Sequence, residues 1–198
     1  MAYIGSKPAN KPVVASDLDP TVITGQTALA VAPADTDEFL ISDAGVLKRL
    51  DASLIGGTNT PAFRVYRSSN QSMGNGYQKI QHNAEDFDTD NAFDSSTNYR
   101  FTVPSGKAGK YFFNAQHKLN SMPNGGRISA AIYVNGSIKA QNIIAVGIAE
   151  DNSSNVSAIL DLSVGNYVEM YGYHNANSSL NASGSSSDCF FQGYKLIT

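Results

Sequence analysis

From residue 61 onward, hydrophobic residues recur at every second position in short runs separated by polar turns. Such alternation places successive side chains on opposite faces and is typical of half-buried β-strands. The pair Asn135-Gly136, between two such runs, favours a tight hairpin. We predict nine strands, over residues 63–67, 77–82, 99–103, 110–119, 128–134, 138–146, 156–162, 167–174 and 189–197. These strands, without a helical pattern between them, predict an all-β sandwich.

Three of the predicted strands carry a large apolar residue on the face that the alternation assigns to the outside. The predicted core set of the two longer strands is Tyr111, Phe113, Ala115, Val156, Ala158, Leu160 and Leu162. Phe112 and Ile159 lie opposite that set, and Phe191 in the last strand is assigned to an outer face in the same way. Large apolar residues that recur on an outer face indicate a buried interface.

The first 57 residues have a different character, with scattered Pro and Gly and little periodicity. One apolar run at 39–42, a turn at Asp43-Ala44-Gly45 and a second run at 46–50 predict a single hairpin, which has too little apolar surface to fold alone. The following sequence GGTNTP is typical of a linker. We therefore divide the chain into an arm (residues 1–57), a linker (58–61) and a knob (62–198).

Charge and cysteine content exclude several classes of protein. The formal net charge is −3, so the chain has no basic surplus with which to bind nucleic acid or an anionic membrane. Cys189 is the single cysteine, and an intrachain disulfide is therefore impossible. The opening residues lack the apolar core of a signal peptide, and no run reaches membrane-spanning length. We expect synthesis in the cytosol and no membrane insertion.

Residues that carry catalytic chemistry are sparse. His82, His117 and His174 have no partner at metal-ligand spacing, and we interpret them as ordinary surface or strand histidines. No nucleophile elbow, phosphate loop or dinucleotide fingerprint is present. Cys189 has no adjacent base and is interpreted as a small core or interface residue. The sequence predicts a protein that is not an enzyme and needs no cofactor.

Five motifs stand in order along the knob: AFRV, FDSSTNYRFTVPSGKAGKYFFNAQ, AIYVNG, AILDLSVGNYVEM and FFQGYKLI. In this order they resemble the globular head of complement C1q and, more distantly, tumour necrosis factor. Asn98 and Asn166 depart from the residues that the family favours, and Ser-Gly-Lys is inserted before AGKYFF; all three changes fall in loops. The resemblance implies a ten-stranded jelly roll that assembles as a tight homotrimer.

The resemblance gives the outward apolar residues a role. It implies that Phe112, Ile159 and Phe191 line the subunit contacts near the threefold axis, beside Asn114 and Gln116. The alternative is that these side chains are simply exposed or are covered by the arm.

Some complement-type heads bind calcium, which directs attention to the acidic stretch from Asp86 to Asp94. Asp86, Asp88 and Asp90 alternate as in a calcium loop, but the glycine, the final glutamate and the flanking helices of an EF-hand are missing. A calcium site without helices and an ordinary solvated loop both stay open here.

The arm has a resemblance of its own. The segments MAYIG and DTDEFLISDAGVLKRLDASLI resemble the N-terminal portion of tail-fibre and other appendage proteins of tailed bacteriophages. This resemblance implies that the arm attaches a trimer to other virion proteins and leaves the knob outside. The candidate virion-anchoring residues are Phe39, Leu40, Ile41, Leu47 and Leu50.

Three Asn- and Ser-rich segments are predicted to be loops, at residues 120–126, 149–155 and 175–188. In the strand order of the family they gather at the end away from the termini, and their side chains suit sugar hydroxyls. They can equally be permissive surface loops. The candidate recognition residues are Asn120, Asn124, Asp151, Asn152, Asn175, Asn177 and Asn181.

Taken together, the two resemblances imply a bacteriophage structural protein, assembled in the host cytoplasm and located in the virion. It would be a trimeric fibre or spike whose knob recognises a glycan or protein of the host surface. A capsid decoration or assembly protein is one alternative. A free soluble ligand of complement or tumour-necrosis-factor type is another, although the sequence shows no signal peptide, no disulfide and no collagen-like stalk. A depolymerase is not supported, because no paired carboxylates are evident.

Overall fold

The computed structural model describes residues 25, 27, 33–34, 36–55 and 59–197. The chain divides into two compact units, Met1–Gly56 and Gly57–Thr198. The segment MAYIG and residues 56–58 of the linker region lie outside the described residues.

In the first unit the described residues form one antiparallel hairpin, with β1 (Glu38–Asp43) paired to β2 (Val46–Asp51). Ala44 and Gly45 form the turn, and both have positive φ, at 49° and 81°. Two successive residues with positive φ are what a type I′ turn needs, and its twist matches that of the strands. The predicted hairpin is confirmed. A short 3-10 turn, Ala52–Leu54, follows it.

The described residues of the second unit form thirteen strands. They are β3 (Ala62–Tyr66), β4 (Gln71–Met73), β5 (Gly76–Lys79), β6 (Ala84–Asp88), β7 (Phe93–Asp94), β8 (Arg100–Thr102), β9 (Gly109–Met122), β10 (Arg127–Val134), β11 (Ser137–Ala145), β12 (Glu150–Leu162), β13 (Tyr167–His174), β14 (Leu180–Ala182) and β15 (Phe190–Lys195).

These strands form two antiparallel sheets. The six-stranded sheet has the order β11-β10-β13-β8-β7, with β5 also paired to β13. The seven-stranded sheet has the order β4-β14-β9-β15-β3-β6, with β12 paired to β9. Strands that are distant in sequence are thus neighbours in space, as in Greek-key sandwiches.

The core lies between the sheets and is rich in aromatic rings. Phe63 stacks on Phe101 with ring centroids 5.0 Å apart, and Phe191 meets Phe63 edge-on at 5.1 Å. Tyr111, Phe113 and Ala115 on β9 are fully buried, as the alternation predicts. Packing of this kind is worth more than the buried area alone, since aromatic pairs add about 0.5–1.5 kcal/mol.

The all-β sandwich is confirmed, and each of the nine predicted strands is present; β13 has the predicted ends, and the others have shifted ends. The resemblance implies ten strands. The described residues of the second unit form thirteen instead of the nine predicted from alternation, because four short strands escaped prediction: β4, β6, β7 and β14. Their sequences, QSM, AEDFD, FD and LNA, are too short or too polar to show an alternating pattern. Their pairing comes from neighbouring strands rather than from their own sequence.

The assignment of Phe191 to an outer face is wrong. Its side chain is fully buried, and it is paired with Ala115 on one side and Val65 on the other, both of which face the core. Gly193 shares that face, because a Cβ there would stand 2.5 Å from the Phe113 ring. The outward residues of β15 are Phe190, Gln192 and Tyr194, so Phe191 cannot line a subunit contact.

Candidate functional site

The outer face of the seven-stranded sheet carries a continuous apolar row. Cross-strand pairing aligns Ile159 with Phe112, Phe112 with Tyr194, and Tyr194 with Ala62. The Ile159 side chain is 64% exposed, and the rings of Phe112 and Tyr194 lie 5.6 Å apart. Directly opposed side chains in neighbouring strands are close enough to touch. We call these four residues the apolar row.

A shallow cavity of about 300 Å³ lies at one end of the apolar row. Phe112, Tyr194 and Ala62 line it, together with Phe87 and Gln192. Phe87 is 49% exposed although it is a large apolar residue. The apolar surface of this sheet therefore extends from the edge strand β12 to the opposite edge at β6.

The adjacent row on the same face is built from amides. Asn114 is paired with Ser157 on one side and with Gln192 on the other. Its Nδ2 donates to Asn155 Oδ1 at 2.9 Å, and Gln192 Nε2 donates to Asn114 Oδ1 at 3.5 Å. Amide side chains both donate and accept, so they can also bond to identical residues of another copy. We call Asn114, Gln192 and Ser157 the amide row.

Beyond the amide row the face becomes polar and charged. Gln116 donates from Nε2 to the Ser187 carbonyl at 3.1 Å. Lys118 lies 3.5 Å from the carboxylate of Asp188 and 3.4 Å from that of Asp151. These two carboxylates, Asp188 first, raise the pKa of Lys118. Charged side chains also flank the two rows elsewhere: Arg64, paired with Asp86, lies beside Gln192, and Lys110 and Asp161 lie beyond the apolar row.

Four of the five predicted interface residues meet on this face. Phe112 and Ile159 belong to the apolar row, Asn114 to the amide row, and Gln116 to the row after it. Phe191 does not, for the reason given above. The role of the four as subunit contacts stays a prediction.

The predicted recognition loops are only partly loops. Because β9 runs to Met122 and β12 begins at Glu150, Asn120, Asp151 and Asn152 lie in paired strands. Asn181 lies in β14. The prediction that these four residues lie in loops is wrong, since strand pairing continues through their polar sequence.

Three of the seven recognition candidates hold backbone groups. Asp151 Oδ1 accepts from the Ser121 amide at 2.9 Å, a bond that is the main cause of the lowered pKa of this carboxyl. Asn175 Oδ1 accepts from the Arg127 amide at 2.6 Å, and Asn152 Nδ2 donates to the Glu150 carbonyl at 3.0 Å. Of the remaining four candidates, Asn124, Asn177 and Asn181 are exposed.

The candidate anchoring residues lie on the hairpin of the first unit. Leu40 is 77% exposed and Phe39 is 41% exposed, whereas Ile41 and Leu50 are half-buried. Leu47 is paired with Ser42, and its side chain lies outside the described residues. Within the described part of this unit the sheet has two strands, each with one unpaired edge.

The carboxylates of the acidic stretch are occupied by protein groups. Asp88 accepts from the Phe93 amide at 2.7 Å, and Asp86 pairs with Arg64. Asp94 accepts from the amides at positions 96, 97 and 98, and these bonds hold its pKa far below its usual range. Among the described residues no group of three acidic, His or Cys side chains is placed to hold a metal ion.

The interpretation of the histidines as ordinary surface or strand residues missed their burial, since all three are fully buried. Nε2 of His117 donates to the Ser129 carbonyl at 2.8 Å, and Nε2 of His174 donates to the Met73 carbonyl at 3.0 Å. Neither ring nitrogen of His82 has a hydrogen-bond partner in the described chain. The alternation of the sequence could have predicted the burial of His117, because it lies two residues from both Ala115 and Leu119 on the inner face of β9.

Burial sets the protonation of these interior groups. It lowers the pKa of His82 to about 3 and that of His117 to about 4, because the interior disfavours the charged imidazolium. Cys189 is also fully buried, as predicted for a small core residue, and burial raises its pKa to about 12. These groups are neutral at pH 7, and the thiol is not a nucleophile there.

Across the described ranges, no helix has the length and apolar character needed to cross a membrane.

No family model and no curated protein matches the sequence. Solved structures do match. The globular domain of zebrafish complement 1qA is 18% identical with a TM-score of 0.52, over 70% of this chain and 98% of that one. Eiger, a tumour necrosis factor of S. frugiperda, is 13% identical with a TM-score of 0.51, over 69% and 92%. Murine APRIL is 12% identical with a TM-score of 0.52, over 68% and 98%.

These likenesses show the fold. The sandwich has the jelly-roll fold of complement C1q and tumour-necrosis-factor heads, and the resemblance that the sequence motifs indicated for the knob is confirmed at that level. None of these three structures is named as an enzyme.

Proposed function

We propose that the protein is a homotrimeric structural component of a bacteriophage virion, a fibre or spike whose knob binds the host surface and whose arm binds the particle. The observation that carries the trimer is the apolar row. Ile159, Phe112 and Tyr194 form one band across three strands, and burying such a band contributes about 25 cal/mol per Å². A monomer leaves this band in water.

The amide row supports the same assembly. A residue that lies on a threefold axis meets its own copies and must complement itself, whereas away from the axis two different surfaces meet. Asn114 and Gln192 meet this requirement because an amide is both donor and acceptor. The trimer that the family resemblance implies uses such a shared face.

The arm supports the virion part of the proposal. β1 and β2 leave edges that can add to a sheet of another protein, and Leu40 offers an apolar side chain beside them. A hairpin of this size is marginal alone and gains stability from a partner. The likeness of its sequence to phage appendage proteins suggests that this partner is another virion protein.

The fold supports two other functions. A free soluble ligand of complement or tumour-necrosis-factor type would use the same jelly roll, and a decoration or assembly protein of a capsid would use the same arm. The three functions differ in what the arm and the knob bind.

Deletion of residues 1–57 distinguishes between these functions. We expect the 58–198 fragment to stay folded and trimeric, with a mass by light scattering of about three times that of one chain. It should fail to enter phage particles but still bind host cells. Shortening residues 176–179, between β13 and β14, should leave incorporation intact and reduce adsorption. Normal incorporation of the armless protein would exclude the virion-anchoring role, and a knob that never binds cells would favour a decoration protein.

A further inference from the structure

Two buried histidines form hydrogen bonds across the space between the two sheets. His117, on β9 of the seven-stranded sheet, donates from Nε2 to the Ser129 carbonyl on β10 of the six-stranded sheet, at 2.8 Å. His174, on β13 of the six-stranded sheet, donates from Nε2 to the Met73 carbonyl on β4 of the seven-stranded sheet, at 3.0 Å. The two bonds therefore cross the core in opposite directions. We call His117 and His174 the histidine pair.

Met73 lies beside both rings of the pair. A Cβ at Gly172 would stand 2.9 Å from the Met73 methyl carbon and 2.9 Å from Cε1 of His117, so the two side chains share the space over this glycine. The backbone carbonyl of Met73 holds the other ring. Met73, His117 and His174 are each fully buried. Removal of Met73 from the core would therefore open the histidine pair to water.

The hydrogen bonds of the pair require neutral rings. With Nε2 as the donor, Nδ1 of His174 accepts from the Ala176 amide at 3.3 Å, and a proton there would set two donors against each other. Nδ1 of His117 has no hydrogen-bond partner in the described chain, and a Cβ at Gly172 would stand 3.1 Å from it. A proton on that nitrogen would be a buried donor without an acceptor, which costs free energy.

The charged and titratable groups around the pair do not offset such a proton. His82 is fully buried and interacts with His117, and Arg67 interacts with His82; both interactions disfavour further positive charge. The Cys189 thiol is neutral at pH 7, since burial raises its pKa to about 12. Asp188, the preceding residue, already pairs with a lysine of β9. A proton on either ring of the pair is therefore unfavourable while the core is closed.

β4 is a short edge strand with few attachments. It pairs through three residues with β14, and β14 pairs with β9 at Ala182–Leu119. The Gln71 side chain adds bonds to the Lys79 carbonyl and from the Gln81 amide, each at 2.9 Å. All of these bonds join uncharged groups, so they hold β4 at any pH between 4 and 7. The histidine pair is the part of this attachment that responds to acid.

We propose that β4 is a pH-sensitive strap, which covers the histidine pair at neutral pH and detaches from the core in acid while the rest of the sandwich stays folded. Detachment places both rings in water, where water accepts from the added proton. The strap is paired with β14, which carries the recognition candidate Asn181, so this part of the knob changes with pH. The inference concerns a single chain and does not depend on the proposed trimer or virion role.

Methionine oxidation of the full chain tests the strap, because the core contains matched internal controls. Hydrogen peroxide transfers one oxygen atom to an accessible methionine, which gives the sulfoxide and water. Met73, Met122 and Met170 are all fully buried, and of these only Met73 lies on β4. Peptide mass spectrometry measures the oxidation rate of each at pH 7 and at pH 5, relative to free methionine at the same pH.

We expect acid to accelerate the oxidation of Met73 selectively. The pKa of His117 is about 4 in the closed chain against 6.5 in water, so the open form takes up the proton first as the pH falls. Linkage through this one histidine raises the open population, and with it the rate at Met73, about twentyfold between pH 7 and pH 5. The rates at Met122 and Met170 should change much less.

Glutamine variants test the role of the pair. His117→Gln and His174→Gln remove the titrating group but keep an amide that can donate to the same carbonyl. His117→Gln should remove most of the acceleration at Met73, and the double variant should remove all of it. His82→Gln is the matched control, because His82 is equally buried but lies beside Phe93 and Phe191. It should keep the acceleration.

Three results would overturn the proposal. Equal acceleration at all three buried methionines would show that acid unfolds the whole sandwich. An unchanged rate at Met73 would show that β4 stays closed, and an acceleration that survives in the double variant would exclude the histidine pair as its cause. Circular dichroism at both pH values shows whether each variant folds. If a variant does not fold, the comparison of the three methionines in the wild type still decides between a strap and global unfolding.

Discussion

The interior of the knob and the outer face of its seven-stranded sheet place similar residues in opposite surroundings. Phe113 and Phe112 are consecutive on β9, but Phe113 is fully buried among other rings, whereas Phe112 faces outward beside Tyr194. Polar groups differ as well: His82 in the interior has no hydrogen-bond partner among the described residues, whereas Asn114 on the outer face has several. Interior residues keep their burial in any assembly, while outward residues gain it only when a second surface covers them.

The largest loss of stability should come from a cavity in the core. Phe191→Ala removes a fully buried ring that contacts Phe63 and Phe113, and we expect a loss of about 3–5 kcal/mol in the free energy of unfolding. Urea unfolding at fixed protein concentration measures it. Phe190→Ala, one residue away on the outer face, is the matched control and should cost much less. Equal losses of stability in the two variants would contradict the assignment of Phe191 to the core and Phe190 to the outer face.

The buried histidines should make stability depend on pH. The folded pKa of His82 is about 3, against 6.5 when unfolded, so the unfolded chain takes up the proton first as the pH falls. Stability is full above pH 6.5 and decreases below it, by about 3 kcal/mol from His82 alone by pH 4. Urea unfolding between pH 7 and pH 4 checks the slope.

His82→Leu is the control for that slope. Because neither nitrogen of His82 has a partner in the described chain, an apolar replacement loses no hydrogen bond there. The variant should flatten the pH dependence by close to one proton and be more stable than the wild type at pH 5. An unchanged slope would show that His82 does not titrate in this way.

A smaller effect should follow from adding one methyl group where the two layers meet. A Cβ at Gly193 would stand 2.5 Å from the Phe113 ring and 2.9 Å from the Phe112 carbonyl oxygen. Gly193→Ala should therefore cost about 1–3 kcal/mol, measured by urea unfolding. Gly147→Ala is the matched control, since a Cβ at Gly147 would meet nothing within 4 Å beyond its chain neighbours. Similar effects at both sites would contradict this close approach.

Alternation along the sequence identified which residues share a face, and in the long strands it also identified the inner face. On β9 the bulky set Tyr111, Phe113 and Ala115 is evident. On β15 both sets contain aromatic residues, so the sequence alone favours neither. Pairing with Ala115 and Val65 places Phe191 inside, and that pairing is a property of the assembled sheet.

In the candidate sites too, the features that depend on strand pairing could not be predicted from the local sequence. Asn120 and Asp151 have loop-like sequence, yet they lie within a long strand pair, at the irregularity between the pairs Asn152–Leu119 and Glu150–Met122. Tyr77 is 96 positions from Tyr173 in the chain numbering, although the two are directly paired.

In the proposed trimer, the outer face of the seven-stranded sheet is the contact between subunits. Light scattering of wild type, Ile159→Glu and Ile143→Glu tests it most directly. Ile143 is also exposed, at 49% against 64% for Ile159, but it lies on β11 of the other sheet. We predict a trimer of about three times 21.0 kDa for the wild type and for Ile143→Glu, and a folded monomer for Ile159→Glu. A monomeric wild type, or a trimer that survives Ile159→Glu, would contradict the claim.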